Sequence, residues 1–263
     1  MEERCVTSFD GAQLYCRIDG NPAKPTILFA NSLCCTVQMW DAQVEQLSQD
    51  YHLVRYDYRG HGRSPATGNA CTLEMLARDA LAILDALGID QVNYVGLSLG
   101  GLIGMHLAVH YPARLKRIVL SNTSPHMPSA EKWNERMRQA TEAGMDGIAL
   151  NSFQRWTTPQ FQAHHPDIFQ ALVQQARAIP PQGYANLCAA LRDADMRVQL
   201  GRIDKPTLVI GSTADVSPLD KTSHWSGAIA SAKLHIIEDA GHLSNLDQPS
   251  AFTKKISDFF RQG

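Results

Sequence analysis

A serine flanked by glycines two positions before and after it has the surroundings in this chain that most favour chemistry. The motif Gly-x-Ser-x-Gly occupies 96–100, directly after the apolar run 92–95 and directly before a helical stretch. In a strand–turn–helix the backbone at such a serine is strained and crowded, so only small residues fit on either side. The motif alone is common by chance, but in this context it predicts Ser98 as a nucleophile.

A serine hydroxyl is a weak nucleophile unless a neighbouring base removes its proton. Asp215 follows the apolar run 207–210, and His242 follows the run 233–237, so both are expected at the carboxyl ends of strands. The order serine, acid, histidine is one of the orders known for catalytic triads, in which the acid orients the imidazole. Two nearby carboxylates remain alternatives for the acid: Asp220 and Asp239.

The tetrahedral intermediate of acyl transfer needs backbone N–H donors for its oxyanion. We expect one donor to be Leu99, immediately after the serine. The second should come from the loop 31–33, which follows the apolar run 26–30, and Leu33 is its predicted donor.

The elements that must position these residues alternate between strands and helices. Strand-like runs lie at 4–9, 13–18, 26–30, 52–56, 92–95, 117–120, 207–210 and 233–237, and helical patterns at 37–47, 72–88, 99–110 and 249–261. This alternation predicts an α/β fold with a mostly parallel, twisted sheet flanked by helices. Asp10-Gly11 predicts a type I′ hairpin turn between the first two strands.

The strand rhythm stops after the sixth strand. Helical patterns occupy 131–143, 147–156, 166–178 and 183–194. We therefore predict an all-helical cap, residues 125–202, inserted into a core formed by 1–124 and 203–263.

Composition limits the kinds of partner. The 263 residues carry a net charge of −2 with scattered Lys and Arg, which favours neither nucleic acid nor an anionic membrane. The first residues lack a secretory signal pattern, and the six cysteines lack disulfide or C-x-x-C spacing. We expect a cytoplasmic protein that binds a small-molecule substrate, without metal or organic cofactor; the sequence leaves a homo-oligomer open.

The motifs together resemble the α/β-hydrolase superfamily across nearly the whole chain. The resemblance rests on the motif at 96–100, on Asp215 and His242, and on Tyr-Asp-Tyr-Arg-Gly-His-Gly-Arg-Ser at 56–64. The last element is a structural loop in that superfamily, so the resemblance gives His61 no catalytic role.

Within the superfamily, the chain resembles the 3-oxoadipate enol-lactonases. The shared stretches are Asn31-Ser32-Leu33, Met39-Trp40-Asp41, Gly96–Gly101, Ser121-Asn122-Thr123, Arg155-Trp156 and Gly241–Asn245. The resemblance implies a serine hydrolase that opens a small carboxylated enol-lactone through an acyl-enzyme. The chain departs from the lactonases at Cys34-Cys35, where they usually carry Gly-Thr, and this change bears on the shape of the pocket.

A carboxylated substrate needs a cation or several donors. The candidates in the helical region are Arg136, Arg138, Arg155 and Arg192. Arg155, from the shared pair with Trp156, is our predicted contact. Trp133 and Trp156 are predicted to wall the pocket, with the alternative that they anchor the cap helices.

Three other functions remain open on the sequence. A general carboxylesterase or a carbon–carbon bond hydrolase of aromatic catabolism would use the same triad. A ligand-sensing receptor would keep the fold for binding and turn over slowly or once.

Overall fold

A twisted sheet forms the centre of the molecule. The computed structural model describes residues 1–127, 129–216 and 219–262; residues 128, 217, 218 and 263, which fall within the predicted cap and core ranges, lie outside it. The strands of the described part are β1 Glu2–Thr7, β2 Gln13–Asp19, β3 Thr26–Ala30, β4 His52–Tyr56, β5 Val92–Leu97, β6 Leu115–Ser121, β7 Thr207–Ser212 and β8 Ala232–Ile237.

The strand order is β1-β2-β4-β3-β5-β6-β7-β8. β1 and β2 pair antiparallel, as do β2 and β4, and all the other neighbours are parallel. Every residue of β4, β5 and β7 is buried, because helices cover both faces of a parallel sheet, and these strands are mostly apolar. The predicted mostly parallel α/β sheet is therefore confirmed.

The first hairpin forms, but the predicted turn type is wrong. The Ser8 N–H donates to Ala12 O at 2.8 Å, and the Gly11 N–H donates to Ser8 O at 3.0 Å. Only Gly11 has a positive φ in this loop (89°), whereas a type I′ turn needs two such residues. The loop consists of one turn followed by a glycine with a positive φ. It therefore contains more residues than Asp10 and Gly11 alone.

The helices of the described part of the chain lie between the strands and after the last one. They are α1 Asp41–Leu47, α2 Leu73–Ala86, α3 Leu99–His110, α4 Ala130–Ala143, α5 Asp146–Trp156, α6 Pro159–His164, α7 Pro166–Arg177, α8 Pro181–Asp193, α9 Leu219–Ser226, α10 Ser244–Asp247 and α11 Pro249–Phe260. The predicted helix 37–47 begins as a 3₁₀ turn, Val37–Trp40, before α1. The predicted start at Thr72 is confirmed, since its side chain caps α2 by accepting from the Met75 N–H.

Five helices, α4 to α8, follow one another between β6 and β7. A short antiparallel bridge between His126 and Asp195 joins the two ends of this segment. Next to it, the Met196 N–H donates to Pro125 O at 2.8 Å. The chain thus leaves the sheet and returns to it at one place. Among the described residues, no helix is both long and apolar enough to cross a membrane.

Candidate active site

Ser98 lies at the junction of β5 and α3 in a strained conformation. Its φ is 58° and its ψ is −112°, a region that L-residues rarely adopt. The turn is closed by two backbone hydrogen bonds, from the Ser98 N–H to Ser121 O at 2.9 Å and from the Gly100 N–H to Asn31 O at 3.0 Å. The neighbouring strands therefore hold the side chain of Ser98 at the carboxyl edge of the sheet.

The two glycines are required by close backbone contacts. A Cβ on Gly96 would stand 2.2 Å from Gly100 O, and a Cβ on Gly100 would stand 2.2 Å from Ala30 O. Neither contact can be relieved by rotating a side chain, because both obstacles are backbone atoms. The sequence-based explanation of this motif agrees with the packing.

We expect Gly100→Ala to destabilise the protein by about 3 kcal/mol, since the new methyl group must displace the backbone at Ala30. Chemical denaturation would measure the loss. Gly68→Ala is the matched control, because a Cβ there meets nothing within 4 Å. Equal stabilities of the two variants would contradict the packing argument.

The two predicted N–H donors flank this turn. Leu99 is the first residue of α3, so its N–H has no acceptor within the helix. Leu33 lies in the loop after β3, and in the described part of the chain neither N–H is hydrogen-bonded to another group. Both residues are buried. Cys34, directly after Leu33, has a positive φ of 65°, which marks a tight turn of this loop.

Asp215 and His242 are brought together by the ends of β7 and β8. His242 Nδ1 and Asp215 Oδ1 lie 3.0 Å apart, and the two side chains are 8% and 4% exposed. This distance is that of a hydrogen bond in which the ring N–H donates to the carboxylate. The alternative acids have other surroundings: Asp220 lies on α9, and Asp239 is exposed.

Asn122, at the end of β6, is a functional candidate that the sequence analysis did not single out. It was noted only as part of Ser121-Asn122-Thr123. Its Nδ2 donates to Asp215 Oδ2 at 2.9 Å. The signal that would have found it is its position one residue past a strand whose neighbours in the sheet carry Ser98 and Asp215.

The His242 turn is tied to the helical segment. The rings of Trp156 and His242 have centroids 5.6 Å apart, and the Leu243 N–H donates to Trp156 O at 2.9 Å. Asp247 accepts from the Gly241 N–H at 2.6 Å and from the Thr158 N–H at 3.0 Å. The predicted residue Trp156 therefore lies at the site, and Asp247 links the His242 turn to the helical segment.

The other two predicted substrate contacts lie elsewhere on the segment. Trp133 and Arg155 line an open groove of about 840 Å³ beside α4 and α5, and Arg136 lines the same groove. Arg155 is exposed, and Trp133 is half-buried against the guanidinium of Arg136, which is 5.5 Å from its ring centroid. The structure thus separates Trp156 from the pair formed by Trp133 and Arg155.

The four candidate arginines differ in their partners. Arg138 pairs with Glu135, and Arg192 pairs with Asp193 at 2.7 Å. Arg136 is half-buried and donates to Tyr184 Oη at 2.7 Å and to Ser152 Oγ at 3.1 Å. Within the described residues it has no carboxylate partner. Its guanidinium also lies within electrostatic range of the Cys34 thiol, beside the loop that carries Leu33.

The adjacent thiols of Cys34 and Cys35 are buried, and burial raises the pKa of both well above the usual range for cysteine. They are therefore protonated, apolar groups within the loop that follows β3. In the described ranges, no cluster of three or more His, Cys, Asp or Glu side chains is arranged to hold a metal.

Comparisons with known proteins agree with this architecture. The family model for the alpha/beta hydrolase fold matches residues 25–249. The chain is 35% identical over 257 residues to 3-oxoadipate enol-lactonase 1 of Acinetobacter baylyi, covering 97% of this chain and 96% of that protein. It is 29% identical over 241 residues to RutD of Pseudomonas syringae pv. syringae, a provisionally assigned carbamate hydrolase, covering 89% and 93%.

A solved structure is similar over the same extent. The enol-lactonase from Burkholderia xenovorans LB400 superposes with a TM-score of 0.95 at 35% sequence identity, covering 98% of this chain and 100% of that one. The family match extends over strands β3 to β8, the strained serine turn and the helical segment. The chain belongs to the α/β-hydrolase family of enzymes.

Proposed function

We propose that the protein is a serine hydrolase that opens a small carboxylated enol-lactone. The observation that carries this proposal is the hydrogen-bonded pair Asp215–His242 at the sheet edge that also holds the strained Ser98. The 3-oxoadipate enol-lactonase and the enol-lactonase structure, each 35% identical, support the choice of lactone.

In the proposed reaction His242 removes the proton of Ser98, and Oγ attacks the lactone carbonyl carbon. The N–H groups of Leu33 and Leu99 stabilise the resulting oxyanion. The carbon–oxygen bond of the ring breaks, and His242 returns the proton to the enol oxygen, which stays attached to the acyl group. Water activated by His242 then hydrolyses the ester to Ser98, and the open-chain acid leaves. Asp215 holds the imidazole and stabilises its protonated form.

We further propose that residues 125–202 form a cap over this site and 1–124 with 203–263 form the core. The bridge between His126 and Asp195 supports the boundaries, because it closes the segment at its base. The contacts of Trp156 and Asp247 to the His242 turn support a cap that packs on the site. A cytoplasmic location and independence from cofactors stay predictions, and a homo-oligomer stays open.

Within this proposal we assign the substrate's carboxylate to Arg136 in place of Arg155. A half-buried guanidinium without a carboxylate partner has donors to spare for an anion, and Tyr184 and Ser152 fix its position. Trp133, which packs on Arg136, would shape the same region. Arg155 is exposed, so solvent weakens any charge interaction that it makes.

Arg136→Gln should lower kcat/KM for the carboxylated enol-lactone by about 10- to 100-fold, since a charge-assisted, partly buried contact is lost. Hydrolysis of an uncharged phenyl ester should change less than threefold. Arg155→Gln is the matched control from the same groove, and it should leave both activities near the wild-type value. If Arg155→Gln lowers kcat/KM for the lactone and Arg136→Gln does not, the carboxylate contact belongs to Arg155.

Turnover of 3-oxoadipate enol-lactone by the purified protein tests the proposed function. The comparison substrates are p-nitrophenyl esters, a small carbamate and a vinylogous diketone. We expect kcat/KM to be highest for the enol-lactone. The carbamate is included because the chain is similar to RutD. A higher value for the carbamate, a simple ester or the diketone would overturn the lactone assignment, and single turnover on all four would favour a ligand-sensing receptor.

A further inference from the structure

We propose that Asn122 is a positioning residue for the reaction: its amide holds the carboxylate of Asp215 in the orientation that His242 requires. This inference rests on the proposed triad. It concerns a residue that makes no contact with the reacting atoms and acts through the acid.

The amide of Asn122 is surrounded by polar partners. Nδ2 donates to Asp215 Oδ2 at 2.9 Å and to Ser212 Oγ at 2.6 Å. Oδ1 accepts from Ser121 Oγ at 2.8 Å and from Ser244 Oγ at 2.6 Å. These bonds join the ends of β6 and β7 to the turn that carries His242. All the hydrogen-bonding capacity of the amide is used, and the side chain has one arrangement.

The direction of the amide follows from the chemistry of its partners. The serine hydroxyls can donate or accept, so they tolerate either orientation. A carboxylate only accepts, so Asp215 requires the NH₂ group to face it. The orientation with Oδ1 towards Asp215 would place two acceptors in contact in a buried site, which is costly.

The backbone places Asn122 where this bond is geometrically available. Its N–H donates to Ile210 O at 2.8 Å, which extends the pairing of β6 with β7 by one residue. Its φ is then 45°, a left-handed value that asparagine tolerates better than most residues. The side chain is 2% exposed. A buried, fully bonded amide at a strained position therefore abuts one oxygen of the carboxylate whose other oxygen bonds His242.

The consequence for catalysis concerns the rotation of Asp215. With a donor on Oδ2 and the imidazole on Oδ1, both carboxylate oxygens are held. Removing the amide takes away one donor that holds Oδ2, so the carboxylate is less firmly oriented towards His242 Nδ1. The imidazole then loses the bond that sets its tautomer, and the reactivity of Ser98 falls.

Two variants and one control test this proposal. Asn122→Ala removes the donor, and Asn122→Asp keeps the shape but places a carboxylate against Asp215. Asn93→Ala truncates another buried asparagine, five residues before Ser98 and at the amino end of β5. Two readouts apply to the intact protein: the rate at which a fluorophosphonate labels Ser98 across pH, and the low-field NMR resonance and titration midpoint of His242.

We expect Asn122→Ala to slow labelling by about 10- to 100-fold and to broaden the low-field resonance, since the His–Asp bond loses its fixed geometry. Asn122→Asp should slow labelling by a similar factor, because two adjacent buried carboxylates share one proton, which weakens the negative charge that Asp215 presents to His242. Asn93→Ala should leave the labelling rate and the midpoint unchanged.

Wild-type labelling and an unchanged His242 midpoint in both variants would overturn the proposal, as would equal effects in Asn93→Ala. If Asn122→Ala does not fold, the near-isosteric Asn122→Asp still decides by its labelling rate. Failure of the proposed function is distinguishable from this result. In that case the wild-type protein neither reacts with the fluorophosphonate nor hydrolyses the enol-lactone. The NMR resonance of His242 still shows whether Asn122 fixes the bond between His242 and Asp215.

Discussion

Ser98→Ala should reduce kcat for the enol-lactone by about 10³-fold or more, leaving only the residual rate that binding and the oxyanion donors provide. The variant lacks the atom that forms the ester with the acyl group. KM should change little, because the hydroxyl contributes mainly to the transition state. The free energy of unfolding should change by less than about 0.5 kcal/mol, since alanine meets the same backbone constraint at φ 58° as serine.

The control for this variant is Ser231→Ala, whose hydroxyl donates to Lys205 O near the amino end of β8. It should retain wild-type kcat. Steady-state kinetics with thermal denaturation of both variants separate a chemical loss from a folding defect. Ser98→Ala with kcat within tenfold of the wild type would exclude Ser98 as the nucleophile.

Asp215→Asn should lower kcat by about 10³- to 10⁴-fold, as expected where the acid of a serine triad becomes an amide. An amide can donate its own N–H to His242 Nδ1. The imidazole then carries its proton on Nε2 and cannot accept one from Ser98. Because the negative charge is also lost, the imidazolium formed during the reaction is less stable.

The comparison for Asp215→Asn is the same substitution at the two alternative acids. Asp239→Asn and Asp220→Asn should each retain kcat within about twofold, since surface substitutions away from the site have small effects. Steady-state kinetics of the three variants at one pH decide between them. A larger loss of kcat in either alternative would show that Asp215 is not the catalytic acid.

The sheet could be predicted from sequence because of how its strands are buried. β4, β5 and β7 are covered on both faces, so each one reads as a mostly apolar run that turn residues end. The edge strand β1 is mostly exposed, and its predicted range, 4–9, was displaced by two residues from Glu2–Thr7. An edge strand lacks the apolar run that would fix its ends.

The helices were predictable where a long amphipathic pattern exists. α6, Pro159–His164, is too short for such a pattern, and it was missed. Its cap was visible in the sequence: Thr158 accepts from the Phe161 N–H, and Pro159 is at the first helical position. Thr-Pro also fits a turn, so the two residues alone could not decide.

The proximity of Asp215 and His242 was predictable, because each of them follows a strand. Parallel strands place the residues that follow them at the same edge of the sheet. The contact of Asn122 with Asp215 spans 93 residues of sequence, and no local pattern encodes it. Arg136 could not be distinguished from Arg155 in the sequence, because the burial of one and the exposure of the other depend on how the helices pack.

Intact-protein mass spectrometry after mixing with p-nitrophenyl acetate tests the central claim most directly. The wild-type protein, quenched in acid within the first turnovers, should carry one acetyl group per chain, because a serine nucleophile passes through an acyl-enzyme that acid preserves. Peptide mapping should locate that group on Ser98. The Ser98→Ala variant should acquire none. Acetylation at another residue, or equal acetylation of the Ser98→Ala variant, would contradict the assignment of Ser98 as the nucleophile.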